Sequence, residues 1–382
     1  MLTYIKVINI NSIDSCEIDF AKDKYKFLEE NLIGNYVNPI ALYGHNGSGK
    51  SSLLKAISYL IGLMTDPVDN LAPFIVNNFK FVKFISDSRN GKADKNDIIG
   101  SIELHFTIDG KNFEYFISTS SLRVIEKEYL KMDDKFIFER NEKSEKYYES
   151  KTYFGDLRSK LIPTLRYLAS EKVNDNDIQS VYKFITSFAF VDLPMQMAGN
   201  FVKSKLFLNM SRQDLLVKRS SEVKNILKDY DEFPLYDVVK IENPDPSIQN
   251  GYYIKYDGID GYMPFDMLST GMLNQSTMLS ILVSLPDNSV LFVDELEQAL
   301  HPSAIISFLK VVKEKKIQLV FSSHNTHILQ TLRPDQIYFA NWKNGKSTLK
   351  RLSKIYPNIR EINNIEKMYL STVFDEAIKN EW

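Results

Sequence analysis

The chain has 382 residues, 44% of them hydrophobic and 25% charged, enough to bury one large core or two modest ones; this excludes disordered and collagen-like classes. Its 47 Lys+Arg against 49 Asp+Glu leave a net charge of −2, so no global basicity announces a nucleic-acid binder, and the single cysteine, Cys16, excludes an internal disulfide and a thiolate metal site. With no basic leader and no apolar run of membrane length, a cytoplasmic protein without a membrane partner is expected.

In chain order, LTYIKVINI (2–10) and CEIDF (16–20) alternate as short strands, and NPIALY (38–43) reads as a buried strand running into a glycine loop. KSSLLKAISYLIGLM (50–64) has helical apolar spacing and stops before Pro67. From 66 to 150, FKFVKFIS, SIELHFTI, NFEYFIST, LRVIEKEYL and KFIFER alternate with period two around Asp109-Gly110 and Asp133-Asp134, which predicts an antiparallel β-lobe. Residues 151–250 turn mainly helical, DIQSVYKFITSFAF and RQDLLVKRSSEVKNILKDY being the clearest stretches, and end in the link ENPDPSIQNG (242–251). After YYIKYD the pattern becomes helix 271–284, strand SVLFVDE, helix PSAIISFLKVVKEKK, strand IQLVFSS and then QIYFAN, an α/β alternation. One core in two parts, 1–65 and 251–382, is expected, interrupted by the β-lobe and the helical insert; no heptad run predicts a coiled-coil arm.

GHNGSGKS (44–51) matches the P-loop pattern and has the strand before it and the helix after it that the chemistry requires. Gly44, Gly47 and Gly49 let the backbone N–H groups, with those of His45, Asn46, Ser48 and Ser52, wrap phosphate. Lys50 neutralises the β and γ oxygens, and the Ser51 hydroxyl ligates Mg²⁺ at a helix N-terminus. A P-loop needs an acidic partner on a neighbouring strand, and SVLFVDELEQALHP (289–302) supplies Asp294 to hold the Mg²⁺ through water and Glu295 to polarise an attacking water as general base. LVFSSHNTHIL (319–329) places His324 at the end of a third strand, where an imidazole can contact the γ-phosphate; His327 is read as an exposed residue or a carboxylate partner. The five histidines form no ligand-spaced set, so no metal other than Mg²⁺ is expected.

In this order the chain resembles the ABC-type ATPases of the RecF, SMC and OLD group: GHNGSGKSS as Walker A, LSTG (268–271) as the signature, LFVDE (291–295) as Walker B and SSHN (322–325) as the H-loop. The resemblance implies an α/β P-loop ABC-type ATPase head with a mixed sheet, an inserted antiparallel β-lobe and a helical lobe. It also implies that Ser269 and Gly271 touch the γ-phosphate held by a second copy, so that two chains sandwich two ATP molecules head to tail. An ordinary helix cap by Ser269 or Thr270 fits the same residues. More narrowly the chain looks like the AAA-type ATP-binding proteins of bacterial anti-phage and toxin–antitoxin operons, related to OLD nucleases. That likeness implies an ATP- and Mg²⁺-dependent sensor or regulator of a separately encoded effector such as a nuclease or toxin, triggered by nucleic acid or a phage protein. Glu297, Leu300 and His301 are then expected at the other subunit, and IREINNIEKMYLSTVF (359–374) is a candidate partner-docking segment.

Three departures bear on this. No Q-loop glutamine can be chosen among Gln179, Gln196 and Gln213; the adenine-side arginine of RecF and SMC heads is missing from 1–20; and the residues after QIYFAN leave no room for a Toprim domain of roughly a hundred residues. The alternative reading is a RecF/SMC-like DNA clamp, for which LKRLSK (349–354) and KSKLFLNMSRQDLLVKR (203–219) would form a basic strip.

Overall fold

The computed structural model describes residues 1–67, 99–120, 124–141, 145–148, 153–154, 160–171, 175–192, 202–208, 210–228, 235–242, 251–300, 302–371 and 374. FKFVKFIS, Gln196, His301 and most of the 242–251 link lie outside them.

Five parallel strands form the centre of a seven-stranded sheet, in the order Ala189–Asp192, Val290–Asp294, Gln318–Ser322, Ile40–Tyr43, Ile337–Lys343; antiparallel edges, Val202–Lys203 and Lys346–Arg351, close the two ends. Successive side chains of a strand face opposite ways, and the core divides accordingly. Ile40, Leu42, Phe292, Val320 and Ala340 pack on the face that carries the helix Lys50–Thr65. Ala41, Tyr43, Val293, Phe321 and Phe339 pack on the face covered by the helices Arg212–Leu227, Thr270–Ser284 and Pro302–Glu314.

The predicted β-lobe is an antiparallel sheet whose strands Ile99–Ile108, Lys111–Ser120, Ile125–Met132 and Lys135–Arg140 run on into Leu2–Ile8 and Ser15–Asp19. Its two-residue loops are the expected ones: Asp109 and Gly110, and Asp133 and Asp134, all have positive φ, the twist that joins adjacent antiparallel strands without splaying them. One boundary differs from the sequence reading. The helix in DIQSVYKFITSFAF stops at Thr186, and Ala189–Asp192 becomes a strand beside Val290–Asp294, because the β-prone run FAFV gains a parallel ladder and full burial there.

Three residues of the proposed basic strip are engaged within the fold. Arg351 is buried and donates to the carbonyls of Asp335 and Ala21, Lys203 pairs with Asp66, and Arg212 is spent on Thr277 and Asn274.

Candidate nucleotide site

The site lies where the parallel strands end at their carboxyl termini, the edge at which open α/β sheets bind ligands. The fully buried Ile40–Tyr43 stops at Gly44, whose φ of +141° and whose surroundings admit no side chain: a Cβ would lie 2.3 Å from the Ala340 carbonyl oxygen. Gly49, at φ +107°, is equally confined, with Ser347 Cβ 2.4 Å from where its own would be. Positive φ at Gly44, Gly47 and Gly49 turns successive N–H groups toward one concavity, and Gly49 caps the helix Lys50–Thr65 without a side chain, with no acidic residue in its first turn.

Lys50 folds back over this loop. Only 5% exposed, its ammonium donates to the carbonyls of Gly44 at 2.8 Å and His45 at 3.2 Å, and burial lowers its pKa while Asp294, Glu295 and Glu297 pull it up again. Ser48 Oγ is buried and makes no hydrogen bond within the described residues. An uncapped helix start, a glycine cradle and an orphaned buried hydroxyl fit a polyphosphate with its cation; the exposed His45, Asn46 and Gly47 form the rim. The half-buried Ser51 and Ser52 open the helix, and Ser52 shares a hydrogen bond with Ser12 at 2.9 Å.

Ser322 organises the acidic side. Its hydroxyl donates to Asp294 Oδ1 at 2.5 Å and accepts the Glu295 N–H at 2.8 Å, so it fixes both residues from the next strand. Glu295 sits in the left-handed region at φ +53°, a position unusual for a residue with a side chain. Burial raises the pKa of its carboxyl, helped by the charges of Asp294, Glu297 and Asp192 and opposed by Lys50. The His324 imidazole is held below its ordinary value by desolvation and then by Lys50, while Glu297 and Asp294 pull it up. Lys50, Asp294, Glu295 and His324 thus form one electrostatic group. Such a set can bind a triphosphate–cation complex and orient a water against its terminal phosphorus.

Ser269 and Gly271 stand elsewhere. Exposed at the start of Thr270–Ser284, Ser269 caps the helix through the Met272 N–H at 3.3 Å, and among the described residues no hydrogen bond of 268–272 reaches the P-loop. Leu300 is buried in the core, against the expectation that it meets another subunit, and Glu297 instead bonds within its own chain to the His324 N–H. Gln179 is turned to the Ala169 carbonyl. His327 lies 3.8 Å from Glu366, which also accepts from Thr326 and Gln330, so the helix Ile365–Leu370 is fastened to the segment after His324. Sequence reasoning placed Ser322 in SSHN without a role of its own and gave Glu297 a role at another subunit; it foresaw neither the Ser322 bonds to Asp294 and Glu295 nor the Glu297 bond to His324.

A family model described as "AAA domain, putative AbiEii toxin, Type IV TA system" matches residues 40–330, which span every motif above. The chain belongs to this family. It is an AAA domain, and its family makes ATP the expected ligand of the P-loop. Among solved structures it is similar to an SMC head bound to the C-terminal winged-helix domain of ScpA (14% identity, 91% of this chain and 97% of that one, TM-score 0.48). It is also similar to the SMC head domain of Thermotoga maritima (13%, 92% and 98%, 0.44) and to an Smc head with coiled coil and joint derived from Pyrococcus yayanosii (10%, 93% and 98%, 0.44). No curated protein sequence matches the chain.

Proposed function

We propose that this AAA domain binds and hydrolyses Mg-ATP, closes into a head-to-tail dimer around the nucleotide, and thereby holds or releases a separately encoded effector in anti-phage defence. The observation that carries the ATPase reading is the meeting of Lys50, Asp294, Glu295 and His324 at the ends of adjacent strands. Ser51 and Asp294 would hold Mg²⁺, which supplies charge neutralisation between the phosphates. Glu295 accepts the proton of the attacking water, and His324 donates to a γ-phosphate oxygen.

Dimerisation is supported by the solvent-facing helix start at Ser269 and Gly271, a backbone anion site that its own P-loop does not use. The effector role draws on the toxin-system description of the family. The test is the light-scattering mass of Glu295→Gln protein with and without Mg-ATP. A rise to twice the mass, abolished by Ser269→Arg, supports the sandwich; a mass indifferent to bound ATP rules it out.

A further inference from the structure

The acidic and imidazole groups lie on one side only of the P-loop strand. Going away from Ile40–Tyr43, the strands that end at Ser322 and then at Asp294 follow one another, whereas its other neighbour is Ile337–Lys343. A nucleoside triphosphate whose terminal phosphate points to Asp294, Glu295 and His324 therefore leads its sugar and base out toward the hairpin 337–351. That hairpin is pressed against the loop at two points, Ala340 on Gly44 and Ser347 on Gly49, and Ser347 Oγ donates to Ser12 Oγ at 2.8 Å.

Trp342 stands directly opposite Ser347 in the antiparallel register, so the two side chains share the face turned to the P-loop helix. It is also near the carboxyl end of a strand parallel to Ile40–Tyr43, at the ligand-binding edge of the sheet. The residue is 48% exposed, and among the described residues it stacks on no other ring. We infer that Trp342 is the platform on which the purine base of the bound nucleotide stacks. The inference rests on the P-loop reading above and deepens it. An indole gives a large flat π surface with little conformational freedom to lose, and it engages a base without reading its hydrogen-bonding edge. It holds the base although residues 1–20 contain no arginine to do so.

The test is calorimetric titration of the full chain with two probes, the β,γ-imido analogue of ATP and magnesium tripolyphosphate. Trp342→Ala should weaken the analogue about tenfold and leave tripolyphosphate unchanged, while Trp342→Phe keeps most of the affinity. The chain has only two tryptophans, Trp342 and Trp382, so Trp382→Phe protein should also report the analogue, and not tripolyphosphate, as a change in fluorescence. Unaltered analogue affinity in Trp342→Ala, or an equal loss of both probes, would overturn the stacking role. If the unsubstituted chain bound neither probe, the P-loop reading itself would fall and this one with it.

Discussion

The Glu297 carboxylate accepts the backbone N–H of His324 at 2.6 Å, joining the turn that follows Asp294 and Glu295 to the loop at the end of the next strand. Its other oxygen, Oε2, is buried without a partner among the described residues. The contact positions the His324 loop, so its loss should appear in turnover before affinity. Under the proposed function, Glu297→Ala is expected to lower the rate of phosphate release about tenfold with nucleotide affinity within about twofold, since a hydrogen bond to a charged group is worth about 1.5–3 kcal/mol. Steady-state release across a range of ATP concentrations separates the two effects.

Gly49 gives a steric prediction. At φ +107°, with Ser347 Cβ 2.4 Å from the place a side chain would occupy, Gly49→Ala meets both torsional strain and a clash. A loss of about 2 kcal/mol or more in unfolding free energy is expected. Ser347→Gly in the same chain should return the clash part and leave the torsional part, which a double-mutant cycle by urea unfolding will measure.

Glu128 is completely buried and accepts the N–H groups of Thr164 at 2.6 Å and Leu165 at 3.1 Å, so it caps the helix Thr164–Ser170 from a neighbouring strand; Tyr115 donates to it at 2.9 Å. Burial raises its pKa, outweighing those donors and the Arg140 charge. The folded state therefore holds the proton more tightly than the unfolded chain. This group's stabilisation is full below the unfolded value of about 4.3 and is lost as pH rises through the raised folded value. Glu128→Gln, whose amide N–H₂ must face a backbone donor, should cost about 1–3 kcal/mol, and its deficit should shrink as pH is raised from about 5 to about 8 in urea unfolding series.

Arg333 and Asp335 form an ion pair with both side chains at 0% exposure, closed by two hydrogen bonds at 2.9 and 3.0 Å; Arg333 also donates to the carbonyls of Phe27 and Tyr25. Removing one partner strands the other charge in the core. Arg333→Ala is expected to destabilise the chain by about 3–5 kcal/mol, while Arg333→Met with Asp335→Leu recovers a large share, as chemical unfolding will show.

The contrast between these features marks what the sequence makes legible. The P-loop could be read because each of its residues answers to a neighbour in the chain: a buried strand, glycines at forced positive φ, a lysine at a helix start. The turns at Asp109-Gly110 and Asp133-Asp134 are local in the same way. The strand Ala189–Asp192 escaped because FAFV continues a helical spacing and becomes extended only through a ladder partner a hundred residues on. Ser322 between Asp294 and Glu295, Glu297 under His324, Glu128 over Thr164 and Arg333 against Phe27 are all pairings across the fold, and nothing at either position announces the other. Trp342 carried no signal in the sequence; only its register opposite Ser347, which packs on Gly49, brings it to the P-loop side of the hairpin.

The place of Ile40–Tyr43 in the sheet has a consequence for the newborn chain. This strand leaves the ribosome early, yet the two strands that flank it come from residues 318–343. Until those emerge, a fully apolar strand followed by its glycine loop has no ladder to join, and the pairings that complete it are among the longest-range in the molecule. Such contacts form slowly because chain entropy must be lost before they reward it. A truncated product lacking the last strands would present an open apolar edge and no nucleotide cradle, which makes it a target for chaperones and proteases rather than a half-working ATPase.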